Sequence, residues 1–225
     1  MQISGFIKNS FVDYPGNIAC VVFTPGCNFN CWYCHNYDLI NETVGAINEE
    51  EVFNFLLDRK GFIDGVVVTG GEPTMQPDLE EFIKKVKQLG FKVKLDTNGT
   101  NLNAIKNLVQ KNLLDYIAMD IKAPINKYNI ITTVPNINEV VSSINYIKSC
   151  GVNYEFRTTY APNLNAADIE EIVNYLGEVN CYALQQYKKP EHIVNEVLPN
   201  HTPIELTDLK QKLCKKVKNF IVRNI

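Results

Sequence analysis

The sequence predicts an α/β fold, a partial (β/α)6 TIM-like barrel with parallel strands. Three observations lead there. Strand-like and helix-like segments alternate along all 225 residues, which implies a parallel sheet with helices outside it. Six strand–helix units are readable, whereas a complete eight-unit barrel takes about 250 residues, so an open, partial barrel is the economical arrangement. A doubly wound sheet is the alternative. Finally, the chemically unusual residues fall behind the strands, one set per unit, where chemistry collects in both architectures.

The strands come first. Ala19–Thr24 and residues 65–69 are short apolar runs, as expected for strands buried on both faces. Residues 91–97, 116–122, 154–160 and 181–187 complete the six. Helical patterns separate them. Asn48 reads as an N-cap with Glu51 three residues on, ahead of the stripe Val52, Phe55, Leu56. Leu79, Phe82, Ile83 and Val86 recur at i, i+3, i+4 and i+7, and Gly90 stops that helix. Leu102, Ile105, Leu108 and Val109 follow the same rule, then Val140, Ile144 and Ile147, ended near Gly151. Ile169, Ile172, Val173 and Leu176 continue the series. A last helix is expected over residues 206–220. There Leu209, Leu213, Val217 and Phe220 alternate with Lys210, Lys212, Lys215, Lys216 and Lys218, giving a solvated basic face. No linker, repeat or low-complexity segment divides the chain, so one domain over residues 1–225 is expected.

Twenty-two basic and 25 acidic residues leave a net charge of −3, too small a field to imply nucleic acid. No span of 18 apolar residues and no signal peptide is visible, so a cytoplasmic protein without a membrane partner is expected. Seven cysteines are too sparse and odd in number for a disulfide framework. Cys20, Cys150, Cys181 and Cys214 are scattered in apolar or helical context and read as small buried hydrophobes.

The other three stand together in Cys27-Asn28-Phe29-Asn30-Cys31-Trp32-Tyr33-Cys34. Three thiolates at C-x3-C-x2-C spacing can ligate three irons of a four-iron, four-sulfur cluster. The fourth iron stays open to substrate, as at a catalytic metal. Zinc with His35 as fourth ligand is the competing reading, but structural zinc sites usually show two separated pairs, and no second pair exists. A ferredoxin site would need a fourth cysteine nearby.

The remaining strands end in Gly70-Gly71-Glu72-Pro73, Asp96-Thr97-Asn98-Gly99, Asp120 with Lys122, Arg157, and Gln185-Gln186-Tyr187. Singly these read as turns or a rim ion pair. Together they suit a zwitterionic nucleoside–amino acid. Two glycines would let backbone approach a ligand closely, and Glu72 would accept from an ammonium. Lys122 and Arg157 would hold a carboxylate, and Asp96 a ribose hydroxyl or a cation.

The cysteine run, Tyr33 before its last cysteine, and Gly70-Gly71-Glu72-Pro73 resemble the radical S-adenosylmethionine (SAM) superfamily along nearly the whole chain. Phe11-Val12-Asp13-Tyr14-Pro15-Gly16, His35-Asn36 and Asp120-Ile121-Lys122 resemble the glycyl-radical enzyme activases within it. Ser10 to Gly16, Gly26-Cys27-Asn28-Phe29 and Phe156-Arg157-Thr158-Thr159 look most like activators of anaerobic ribonucleoside-triphosphate reductase. Pyruvate formate-lyase activases carry Asp-Gly-Pro-Gly where this chain has Asp13-Tyr14-Pro15-Gly16, and their histidine near the last strand has its nearest counterpart in His201. The extra ferredoxin-like insert of some activases is missing.

The resemblance implies an oxidoreductase with one [4Fe-4S] cluster on Cys27, Cys31 and Cys34, and SAM chelating the open iron. Tyr33 would meet the adenine, largely through its backbone. Gly70, Gly71 and Glu72 would hold the ammonium end. Asp96, Asn98, Asp120, Lys122 and Arg157 would line the ribose and carboxylate side with a bound monovalent cation, Asp120 and Lys122 closest to the chemistry. Asp13 would border the groove for a partner loop. An electron from a flavodoxin or ferredoxin-type donor would cleave the C5′–S bond of SAM, giving methionine and a 5′-deoxyadenosyl radical. That radical would take a hydrogen atom from a glycine Cα of the partner. Two alternatives stand beside this: a radical SAM enzyme acting on a small molecule, like the 7-carboxy-7-deazaguanine synthases, and a non-catalytic iron–sulfur or zinc binding module.

Overall fold

A computed structural model describes residues 1–40, 46–132, 137–189 and 202–223. The chain runs β1 (Gly5–Ser10), β2 (Ala19–Thr24), α1 (Tyr37–Ile40), α2 (Glu49–Asp58), β3 (Gly65–Gly70), α3 (Leu79–Gln88), β4 (Lys92–Thr97), α4 (Leu102–Gln110) and β5 (Tyr116–Asp120). It continues through α5 (Tyr128–Thr132), α6 (Asn138–Ser149), β6 (Asn153–Tyr160), α7 (Ala166–Leu176), β7 (Tyr182–Gln186), α8 (Pro203–Leu213) and β8 (Phe220–Arg223). The strands form one sheet in the order β1 to β8, with β1 antiparallel to β2 and every other neighbour parallel. β1 and β8 are its two edges, so the barrel is open, as expected.

The six expected strands are β2 to β7. Two more flank them. β1 is half polar and its middle residues are exposed, so it carries no buried-strand signature. β8 is only four residues long and takes Phe220, the residue expected to close the last helix. That helix instead ends at Leu213. Lys215, Lys216 and Lys218 lie in the connection to β8, not on a helix face. The apolar spacing continued past Leu213 because Val217 and Phe220 are also buried. Phe220 packs on Tyr182 of β7 with ring centroids 5.3 Å apart.

Alternation along the strands separates two environments. Outward residues such as Val22, Val66, Val68, Leu95, Ile117, Phe156 and Leu184 join the helix stripes in the main core. Each such side chain contributes roughly 1.5–3 kcal/mol by leaving water. Inward residues form a small apolar floor of Tyr14, Ala19, Val21 and Val67. Beyond it the interior carries charge. The expectation of strands apolar on both faces, made for β2 and β3, holds there; the inner faces of β4 to β6 instead present Lys94, Asp96, Asp120, Glu155 and Arg157. Asn48 caps α2, its Oδ1 accepting from Glu50 N and its carbonyl oxygen from Glu51 N, both at 3.0 Å.

Candidate active site

A cavity of about 380 Å³ opens at the C-terminal ends of the parallel strands. Every site residue expected from the sequence lines it: Cys27, Cys31, Tyr33, Cys34, Gly70, Gly71, Glu72, Asp96, Asn98, Asp120, Lys122 and Arg157. Asp13, His35, Asn36, Thr159 and Gln185 line it too. His201 lies outside the described residues.

The cysteine loop is held by its neighbours. Gly71 N donates to Thr24 O and Glu72 N to Gly26 O, both at 2.8 Å. Gln76 Nε2 donates to Pro25 O at 2.8 Å, and Asn36 Nδ2 to Gly70 O at 3.3 Å. The two glycines serve this contact. A Cβ on Gly71 would sit 1.9 Å from Gly26 O, and one on Gly70, whose φ is +123°, would sit 2.2 Å from Thr24 N. Their smallness thus admits the cysteine loop, where the sequence suggested close approach of a ligand. From the far side, Phe29 meets Tyr128 edge-on at 6.3 Å and Trp32 meets Tyr187 at 5.9 Å.

Glu72 joins three loops. Only 1% exposed, it accepts through Oε1 from Thr74 N (3.1 Å), Thr74 Oγ1 (2.5 Å) and Thr97 Oγ1 (2.7 Å), and through Oε2 from Asn98 N (2.7 Å). Asn98 Nδ2 donates in turn to Asn28 Oδ1 of the cysteine loop at 2.8 Å. Burial raises the Glu72 carboxyl above its ordinary value, against the pull of these donors. Among the described residues Oε2 has a single hydrogen-bond partner, which leaves it able to accept an ammonium as well.

The donor set suits a cluster. Cys27, Cys31 and Cys34 are unpaired thiols facing one cavity. Among the described residues no three Cys, His, Asp or Glu side chains gather about one point. A cluster offers each thiolate its own iron. Burial pushes the Cys27 thiol up to about 12, opposed by the Phe29 amide, which donates to its Sγ at 3.3 Å, and by Lys122. Burial raises Cys31 and Cys34 likewise, again against Lys122. Metal must displace those protons. The buried Tyr33 hydroxyl faces no hydrogen-bond partner among the described residues.

Opposite the cysteines runs a ladder of charges. Lys94 pairs with Asp96 Oδ1. Asp96 Oδ2 meets Arg157 Nη1 at 3.0 Å, Arg157 Nε donates to Asp120 Oδ1 at 2.8 Å, and Lys122 Nζ donates to Asp120 Oδ2 at 3.0 Å. Strand register builds it, since Asp120 of β5 is the direct cross-strand neighbour of Arg157 of β6. Burial alone would raise both carboxyls, but Arg157, aided by Lys94 at Asp96 and Lys122 at Asp120, holds them below the ordinary carboxylate value. Burial would lower Lys122, but Asp120 outweighs it and holds the ammonium well above its usual range. Three cations against two carboxylates leave one positive charge in excess, a setting for an anionic group. Sequence reasoning missed Lys94, Thr74 and Asn28. For Lys94 the signal existed, because it lies two residues before Asp96 on the same strand face.

With this geometry in view, similarity to known proteins is informative. Residues 21–176 match the family model of the Radical SAM superfamily. The chain belongs to the radical SAM superfamily. It is 34% identical, over 99% of its length and 96% of the relative's, to a Methanocaldococcus jannaschii protein named "Putative glycyl-radical enzyme activating enzyme". It is 37% identical to the pyruvate formate-lyase-activating enzyme of Staphylococcus aureus over 56% of this chain and 55% of that one. Among solved structures, a radical SAM methyltransferase from Sphaerobacter thermophilus shares the fold. Its TM-score is 0.75 at 16% identity, over 96% of this chain and 68% of the other. The chain spans about half the length of Streptococcus suis SuiB, whose SAM-bound structure it matches with a TM-score of 0.66 at 16% identity and 91% coverage of this chain. A radical SAM chain works with a [4Fe-4S] cluster and SAM, and the three thiols and the zwitterion-matched cavity fit both.

Proposed function

We propose that this protein is a radical SAM activase that generates a glycyl radical on a partner enzyme, the partner being anaerobic ribonucleoside-triphosphate reductase. The observation that carries the reading is the single cavity joining three cysteine thiols to the Glu72 carboxylate and the Lys122–Asp120–Arg157 array. The full-length likeness to an activating enzyme supports it. Bound there, the cluster and SAM supply reductive cleavage of the sulfonium and, through it, hydrogen-atom abstraction from a glycine Cα.

The chain's own residues do the rest. Cys27, Cys31 and Cys34 would hold three irons. Lys122 and Arg157 would orient the SAM carboxylate, and Glu72 Oε2 would take its ammonium. Tyr33 would meet the adenine, largely through its backbone, with Asn98 and Asp96 toward the ribose. Asp120 keeps Lys122 protonated and Arg157 in place. Asp13, at the edge of the cavity, borders the path of the partner's loop. Electrons come from a flavodoxin or ferredoxin-type donor, in the cytoplasm. No helix among the described residues is long and apolar enough to cross a membrane.

The test is electron paramagnetic resonance on anaerobically reconstituted, reduced protein with SAM and the organism's anaerobic ribonucleotide reductase. A glycyl-radical doublet on the reductase together with 5′-deoxyadenosine is the expected result. 5′-Deoxyadenosine without the doublet would remove the reductase as partner. A cluster that neither binds nor cleaves SAM would remove the activase reading.

A further inference from the structure

The charge ladder holds one member for which a SAM site has no evident use. Lys94 is 1% exposed, beneath the cavity on the inner face of β4, and its ammonium rests on Asp96 Oδ1. Asp96 is also the residue at which the family resemblance expects a bound monovalent cation. That ion does not fit the groups present. Asp96 Oδ1 faces Lys94 and Oδ2 faces Arg157. Asp120 is placed in the same way, Oδ1 against Arg157 and Oδ2 against Lys122. A carboxylate oxygen can accept more than once, so the obstacle is charge. Each of the four carboxylate oxygens already faces a protein cation, and adding Na⁺ or K⁺ would raise the excess positive charge of the ladder from one to two.

We propose that Lys94 is a covalently tethered counter-cation that occupies the place of a monovalent metal ion at Asp96, so that this protein needs no Na⁺ or K⁺ to build its site. Lys94 is thus a positioning residue. It neutralises one oxygen of Asp96, the other oxygen orients Arg157, and Arg157 keeps donors for the cavity. The consequence for SAM rests on the function proposed above. The cation test below does not, because it contains no SAM.

The experiment is thermal melting of anaerobically reconstituted protein in mixtures of NaCl or KCl with tetramethylammonium chloride at constant ionic strength. Tetramethylammonium is too bulky for a carboxylate cage. The wild-type Tm is expected to show no saturable dependence on Na⁺ or K⁺. Lys94→Met leaves a buried carboxylate half paired, and its Tm in tetramethylammonium should fall by roughly 6–12 °C. Na⁺ or K⁺ should restore roughly half of that in a saturable way. A merely structural lysine would give the same loss in every salt, and that result would overturn the proposal. So would a wild-type Tm that rises saturably with Na⁺ or K⁺, an arm that stands whether or not the variant folds. Lys94→Gln, polar but uncharged, gives a second reading of the variant arm.

Discussion

Replacing Glu72 by Gln tests how the cavity wall is joined. The substitution preserves size and shape, so packing is unchanged. Three of the four donors that converge on Glu72 reach Oε1, which an amide oxygen can replace. The fourth, Asn98 N–H, reaches Oε2 at 2.7 Å and would face an amide NH₂, donor against donor. The group is 1% exposed, and an unsatisfied buried donor costs about 1–3 kcal/mol. Taking about 2 kcal/mol, and about 2–4 °C per kcal/mol for a chain of this size, Tm should fall by roughly 4–8 °C. Because Asn98 also holds Asn28 of the cysteine loop, iron content after reconstitution should fall with it. Differential scanning calorimetry and iron analysis on the same preparation make the check. An E72Q protein that melts within about 1 °C of wild type with full iron content would refute the argument that Glu72 braces the cysteine loop.

Three further outcomes are expected. Cys31→Ala should abolish cluster absorbance and SAM cleavage together, and retained cleavage would overturn the ligand assignment. Gly71→Ala places a Cβ 1.9 Å from Gly26 O; backbone must shift, and reconstituted iron content should drop while far-ultraviolet circular dichroism stays near wild type. Asp96 and Asp120 titrate below their ordinary 3.8, so their contribution to stability is present above that pH and is lost as pH falls through the depressed values. Arg157→Met should therefore destabilise by about 3 kcal/mol at pH 7, and its gap from wild type should narrow in acid titrations followed by urea denaturation. A gap that is independent of pH would show that Arg157 does not hold those carboxyls.

Much of the site was legible because its chemistry is local in sequence or comes at strand ends. Cys27, Cys31 and Cys34 lie within one loop, so their spacing alone states what they can ligate. Gly70 to Glu72, Asp96 to Asn98, Asp120 with Lys122, and Arg157 each end or lie on a strand. Parallel strands in one sheet bring their C-terminal ends to one rim, so once the parallel order is read, convergence follows. Misreadings arose where one residue pattern suits two structures. Val217 and Phe220 keep helical spacing beyond α8, yet Phe220 opens β8, because a strand beside β7 buries it as well as a helix face would. β1 gave no sign because an edge strand buries little.

What the sequence determined by itself is the order of the six inner strands and the helices between them, their parallel arrangement and the identity of most groups around the cavity, since periodicity and spacing depend on neighbours along the chain. Tertiary structure alone decided how those groups are used. Gly70 and Gly71 admit the Thr24–Gly26 backbone, and Glu72 links three loops. Those roles depend on which atoms from distant segments come within 3 Å, and with what remains unsatisfied once they have met. Neither is encoded in the residues nearest each one in the chain.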